Sequence, residues 1–209
     1  MSREAILGRV SAYYTATFAR SGCTPAGVDW PSESSQRVRF RQLLRIRDGE
    51  EAFEVNDYGS GFGALADYLH ACGVEARYRG YDVSEPMIEA ARTRHRGCGC
   101  AFMTDPSALT PAAYTVASGI FNVTADTPAG DWRTYVLETL EEMAALTRRA
   151  FAFNVLSSAV AVERRRPHLY YADPMELWAH CRRRFSPRVA LLHDYWPHEF
   201  TVIVRLTDE

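Results

Sequence analysis

Lysine is absent from this 209-residue chain: all 24 of its Lys+Arg residues are arginine. That excludes Schiff-base chemistry and the lysine of a phosphate-binding P-loop. No apolar run approaches the roughly 18 residues of a membrane-spanning helix. The opening stretch MSREAILGRVSAYY lacks a basic start followed by an apolar core, so no secretory signal is expected. Cysteine is sparse, with five residues scattered along the chain. An odd, scattered set suits a reducing cytoplasm, and that location is expected. The run HRGCGC (His95–Cys100) holds a histidine and two cysteines. Its cysteines are only two positions apart and no second pair stands at finger spacing, so no metal is expected. The formal net charge of −2 argues against a general nucleic-acid binder.

The composition is that of an ordinary globular domain, 47% hydrophobic and 24% charged. Residues 3–20 carry Ile6, Val10, Tyr13, Tyr14 and Phe18 at helical spacing, and Gly22 is a natural stop. Pro31 and Ser32 introduce a second helix over 33–46. These helices predict an N-terminal cap over residues 1–48, followed by a second unit over 49–209. From residue 52 strands and helices alternate. Strands are expected at 52–57, 76–81, 100–103, 114–118, 150–155, 187–192 and 200–206. Helices are expected at 62–71, 84–95, 131–148 and 173–184. Asp173, Pro174 and Glu176 read as a capped start with a capping box. The last two strands have no room for a helix between them and must form an antiparallel hairpin. The fold class is therefore α/β: a Rossmann-like, seven-stranded, mostly parallel sheet with an antiparallel terminal hairpin and a helical cap.

The chemistry begins at FEVNDYGSGFGALADYL (53–69), where a strand ends on Asp57 and Gly59, Gly61 and Gly63 follow at alternate positions. Such a turn lies at the carboxyl ends of the strands, where α/β sheets bind ligands. A dinucleotide site wants G-x-G-x-x-G, but this loop reads G-x-G-x-G with Ala64 in the last place. That disfavours a nicotinamide oxidoreductase. The second strand, in YRGYDVSEPMIEAAR (78–92), ends on Asp82. A carboxylate there can accept both hydroxyls of a ribose. Ser84 then caps a helix, and Met87 is placed to lie over a flat ring.

These motifs resemble the class I S-adenosylmethionine (SAM)-dependent methyltransferases. VNDYGSGFG is similar to their glycine-rich first motif, GYDVSEPMIEAAR to their ribose-binding second, FMTDPSAL (102–109) to their third and YTVASGIFNV (114–123) to their fourth strand. The resemblance covers roughly 50–206, and the terminal hairpin agrees with it. Further segments resemble a bacterial, small-molecule-type subgroup, which assigns no substrate. Ser60 stands where the family often has Cys. The resemblance implies SAM as cofactor, with S-adenosylhomocysteine (SAH) as product. The implied cofactor residues are Asp57, Gly59, Ser60, Gly61 and Gly63 in the first motif, Asp82, Val83 and Met87 in the second, Thr104 and Asp105 in the third, and Ser118 in the fourth. Arg39 is a candidate for the cofactor's carboxylate.

The cofactor carries the driving force of methyl transfer, so no obligatory catalytic signature exists. Candidate proton acceptors are His193 and Glu199, flanking the link of the hairpin, and Tyr170 or Tyr171. Candidate acceptor-binding residues are Tyr14, Trp30, Asn122, Tyr170 and Tyr171. Ser118-Gly119-Ile120-Phe121 does not match the Asn/Asp-Pro-Pro-aromatic tetrapeptide of adenine-N6 and glutamine methyltransferases. The basic clusters VERRRPHLYY (162–171) and CRRRF (181–185) could attract an anionic substrate, but their flanking acids favour a solvated surface. The expected function is methyl transfer to an O or N atom of a small molecule. Alternatives are a non-catalytic SAM/SAH-binding module, or methylation of RNA or protein. Monomer and homodimer both remain open.

Overall fold

The computed structural model describes residues 1–206. Seven strands make one sheet: β1 (Ala52–Tyr58), β2 (Glu75–Tyr81), β3 (Ala101–Met103), β4 (Ala112–Ser118), β5 (Thr147–Leu156), β6 (Val189–Trp196) and β7 (Glu199–Arg205). Their spatial order is β3-β2-β1-β4-β5-β7-β6. The first five are parallel, with Val55 opposite Tyr114 and Asp57 opposite Gly80. β7 runs antiparallel to both β5 and β6, as the hairpin required. The link between β6 and β7 shrinks to Pro197-His198, because β6 runs on to Trp196. The strand order reverses between β1 and β4, so their carboxyl ends splay and leave a crevice.

Six helices flank the sheet: α1 (Arg3–Ser21), α2 (Glu33–Leu43), α3 (Ala64–Ala71), α4 (Glu85–Arg94), α5 (Ala129–Ala145) and α6 (Pro174–Arg184). Local chemistry sets their ends. Ser2 and Ser32 accept the Ala5 and Ser35 amides at the starts of α1 and α2. Asp173 accepts from Met175 and Glu176 at α6. Glu176 does not close a capping box; its carboxylate takes Arg133 Nε at 2.9 Å. Ser84 precedes α4 as expected, but its hydroxyl lies 2.8 Å from Thr15 Oγ1 and so ties α4 to α1.

Strand side chains alternate across the sheet into two cores. On one face Phe53, Val55, Tyr114 and Ala152 meet Leu65, Leu69, Ile88 and Ala91 of α3 and α4. α2 belongs to this face, since Phe40, Leu43 and, just beyond it, Ile46 are buried there. Each such side chain contributes about 1.5–3 kcal/mol by burial, which makes α2 an integral layer of the sheet. On the other face Trp132, Val136 and Leu140 of α5 and Leu177 and Cys181 of α6 pack on Phe151, Phe153 and Val202. α1 adds Ile6 and Val10 at the edge of that core. Its Ser11 hydroxyl bonds the Val83 carbonyl beyond β2, so α1 lies beside the crevice.

Candidate functional site

The glycine loop needs its glycines. Gly59, Gly61 and Gly63 all have left-handed φ, at +87°, +55° and +86°. L-residues pay about 1–2 kcal/mol for that conformation. Close approach adds a second reason. A Cβ on Gly59 would stand 2.1 Å from Ile120 Cγ2, and one on Gly61 3.0 Å from Val28 Cγ1. The amides of Gly59 and Ser60 both donate to the Tyr81 carbonyl at 2.8 Å, binding the loop to the end of β2.

Asp82 sits where β2 stops. Its Oδ2 accepts the Gly61 amide at 2.8 Å and its Oδ1 the Ser84 amide at 2.9 Å. Each carboxylate oxygen has a second lone pair, so the group keeps capacity for two hydroxyl donors. Burial pushes its pKa upward, against the pull of these amides.

Asp57 is buried at the end of β1 and takes the Tyr78 hydroxyl on Oδ2 at 2.5 Å. Its Oδ1 has no partner among the described residues, and neither do the buried hydroxyls of Ser60 and Ser118. Burial raises the Asp57 pKa to about 7; the Tyr78 hydrogen bond opposes this and the Asp82 charge adds to it. A carboxyl that ionises near its usual 3.8 when unfolded and about 7 when folded favours the protonated folded state. Its contribution to stability is present at low pH and is lost as pH rises through that window. Relative to Asp57→Asn, the wild type is therefore expected to lose stability from about pH 4 to 7, by up to about 1.4 kcal/mol per pH unit. The difference should stay level above that range. Urea unfolding of both proteins across pH 5–8 checks this; parallel curves would refute it.

Two cavities meet here. The inner one, of about 80 Å³, is lined by Asp57, Gly59, Ser60, Gly61, Asp82, Val83, Met87 and Ser118, with Leu7, Val10 and Tyr14 of α1 over it. The outer one, of about 520 Å³, is lined by Arg39, Asn122, Tyr171, Arg164, Arg166, His168 and His198. Tyr14, Val28, Trp30 and Gly119 border both. Ten of the sequence candidates thus reach the inner cavity, Tyr14 and Trp30 among them. Arg39, Asn122 and Tyr171 reach the outer one.

Six candidates line neither cavity. Gly63 opens α3 and faces away, where a Cβ would lie 2.6 Å from His95 Nε2. Thr104 and Asp105 stand off the crevice, and the exposed Asp105 carboxylate caps a 3-10 turn through the Ser107 amide. Tyr170 packs on the core. His193 lies inside β6 instead of after a strand, with its ring against Phe200 at 5.8 Å.

Glu199 calls for a correction. It is fully buried, and its Oε2 accepts Arg39 Nε at 2.8 Å and Nη2 at 2.5 Å. Its Oε1 takes the Asn154 amide nitrogen. Sealed in this way, Glu199 cannot serve as the proton acceptor expected of it. Arg39 is likewise held, its guanidinium stacked at 3.9 Å from Trp30 and 4.7 Å from Trp196. Asn122 anchors its own loop by accepting the Leu156 amide at 3.2 Å.

The sequence reading missed Tyr58, Tyr81, Val28 and Ile120 in the inner wall and Arg164, Arg166, His168 and His198 in the outer one. For the arginines a signal was present, since VERRRPHLYY is dense in charge. The segment is solvated as expected, with Arg164, Arg166 and His168 exposed, and it also lines one side of the outer cavity.

A parallel sheet reversed by a terminal hairpin, with a left-handed glycine loop facing an acid at the end of β2, defines a Rossmann-like methyltransferase fold. No family model matches the chain. Over 163 residues it is 44% identical to the Mycobacterium tuberculosis (strain ATCC 25618 / H37Rv) protein named "Putative methyltransferase Rv1506c", covering 78% of this chain and 98% of the relative. Solved structures share the fold. A Burkholderia thailandensis 1,6-didemethyltoxoflavin-N1-methyltransferase with bound 1,6-didemethyltoxoflavin and SAH aligns at TM-score 0.69 and 19% identity, over 100% of this chain and 92% of that one. The DhpI–SAH complex aligns at 0.65 and 16%, over all of both chains. The magnesium protoporphyrin IX methyltransferase ChlM of Synechocystis PCC 6803 with bound SAM aligns at 0.63 and 15%, over 99% and 98%. The chain belongs to the class I SAM-dependent methyltransferases.

Proposed function

We propose that the chain transfers a methyl group from SAM to an O or N atom of a small acid-bearing molecule held in the outer cavity. The observation that carries this is the junction: a ligand-sized space of about 520 Å³ meets the glycine-loop crevice across Tyr14, Trp30 and Gly119. The crevice fits the cofactor chemically. Its glycines leave backbone exposed, Asp82 retains acceptor capacity, and Ser118 Oγ and Asp57 Oδ1 are buried without partners among the described residues. The neighbouring fold structures with bound SAM or SAH support the same cofactor.

When bound, SAM supplies an activated methyl on a sulfonium, so the chain's work is placement and water exclusion. Asp82 would hold the ribose hydroxyls, and the loop from Gly59 to Gly61 would hold the methionine portion. Trp30 and Tyr14 offer aromatic faces that favour a cation. The inner cavity of about 80 Å³ is below the roughly 300 Å³ at which ligand pockets begin. Admitting SAM therefore requires α1 and the Pro25–Val28 turn to yield, which gives the N-terminal segment its role as a cap. The location proposed is the cytoplasm. No described helix is long and apolar enough to cross a membrane.

The acceptor is recognised in the outer cavity. Arg164 and Arg166 line it without a carboxylate partner among the described residues. A guanidinium in a cavity wall pairs well with a carboxylate or phosphate. His198 lines the same space, stacked on Trp196 at 5.3 Å, and burial lowers its pKa. It is therefore neutral near pH 7 and able to take a proton from the acceptor. SAH release measured over acceptors sorted by charge tests the proposal. Acidic small molecules should be preferred, and Arg164→Ala/Arg166→Ala should raise their KM about 10- to 100-fold with little change in kcat. Preference for neutral or basic acceptors, or a KM unmoved in the variant, would contradict it.

A further inference from the structure

The segment His95–Cys100 joins α4 to β3 and stands apart from both cavities described above. Gly97 and Gly99 flank Cys98, both with left-handed φ, at +81° and +74°. They coil the segment on itself. The Cys98 amide and thiol both turn to the His95 carbonyl, at 3.3 and 3.0 Å. The Cys100 amide donates to Cys98 Sγ at 3.3 Å. As a result one imidazole nitrogen and the two sulfurs all lie within 4.8 Å of one another. The expectation of no metal rested on sequence spacing, and this turn brings together what the spacing seemed to separate.

We propose that His95, Cys98 and Cys100 form a binding site for a thiophilic divalent cation, zinc in the first instance. Two thiolates and an imidazole are the donor set zinc takes, and three protein ligands leave the fourth position to water. Tetrahedral zinc holds its sulfurs about 3.8 Å apart, so the ligand atoms need only a modest contraction.

Two features support a built site. The Cys100 amide reaches back to Cys98 Sγ at 3.3 Å and so holds the two cysteines in one turn. The imidazole is already fixed: its side chain is 8% exposed, packed against Phe102 at 5.2 Å, and Nε2 has no hydrogen-bond partner among the described residues. Nε2 lies 3.8 Å from Asp67 Oδ1. Were Nδ1 the ligand atom, a small shift would bring the Nε2 proton to that carboxylate, the usual outer partner of a metal-bound histidine. Binding releases the two thiol protons, and the hydrogen bond from Cys98 to the His95 carbonyl is given up. Because His95 also abuts Gly63, a bound ion would brace the back of the glycine loop.

The test uses the full chain without an affinity tag, purified under reductant, loaded with zinc chloride and exchanged into metal-free buffer. Elemental analysis should find one zinc per chain. Cobalt loading should give an intense near-ultraviolet sulfur-to-cobalt band. Cys98→Ser/Cys100→Ser should lose both, with at least a tenfold drop in zinc affinity and an unchanged circular dichroism spectrum. Zinc should raise the melting temperature of the wild type only. Equal zinc in wild type and double variant would overturn the proposal. So would a reduced wild type that leaves the column metal-free, whether or not Cys98 and Cys100 had been isolated as a disulfide.

Discussion

Arg39→Ala will melt about 6–20 °C below the wild type. The side chain is buried against a fully buried Glu199, and removing one partner of such a pair costs about 3–5 kcal/mol, because the other charge is left without compensation. At about 2–4 °C per kcal/mol for a chain of this size, that sets the range. Glu199→Gln should fall in the same range, for it leaves the guanidinium stranded between Trp30 and Trp196. Replacing both with apolar residues of similar volume should recover part of the loss. The pair also belongs to a chain of contacts. Glu199 holds Asn154, whose Oδ1 accepts the Gly119 amide at 2.8 Å, and Gly119 borders both cavities. α2, β7, β5 and the exit of β4 are thereby locked together where acceptor and cofactor would meet. Thermal unfolding decides the matter. An Arg39→Ala protein with an unchanged melting temperature and SAH affinity weakened more than tenfold would return Arg39 to the cofactor role the sequence suggested.

That pair shows where sequence reading reaches its limit. The strands were legible because their apolar runs are bounded by turns, and the terminal hairpin because no helix fits between two runs so close. Asp57, Asp82 and the glycines were legible because each is local: a strand end, then a turn with a steric demand. Arg39 and Glu199 lie 160 positions apart, and nothing local announces their contact. His193 was misplaced by a few residues of strand length, enough to move it from a strand end into β6. Glu176 had the spacing of a capping box, yet a tertiary partner, Arg133, took its carboxylate. Arg164 and Arg166 are exposed, as the composition suggested, and only the fold shows that their segment also lines the outer cavity. In HRGCGC, two left-handed glycines bring ligand atoms together in a way that spacing rules for zinc fingers do not cover.

Gly61→Val will weaken SAH binding about 30- to 4000-fold while the sheet remains folded. Two costs combine. The position is left-handed at φ +55°, for which valine pays about 1–2 kcal/mol. Its side chain would also enter the inner cavity from the loop, with Val28 Cγ1 already 3.0 Å from the first carbon and Met87 Sδ at 3.8 Å. Overpacking of this kind costs about 1–3 kcal/mol, and the sum corresponds to the stated range in Kd. Gly61 also gives its amide to Asp82, so a displaced loop would disturb the acid expected to hold the ribose. The strain falls on a loop outside the two cores, so circular dichroism should be unchanged and the melting temperature only modestly lower.

The decisive measurement is calorimetric titration of the wild type and Gly61→Val with SAH, SAM and NAD in turn. The wild type should bind one SAH per chain, displaced by SAM, and show no heat with NAD; the valine variant should show little or none with any of the three. NAD binding without SAH binding, or SAH binding of equal strength in the two proteins, would contradict the assignment of the glycine loop to SAM.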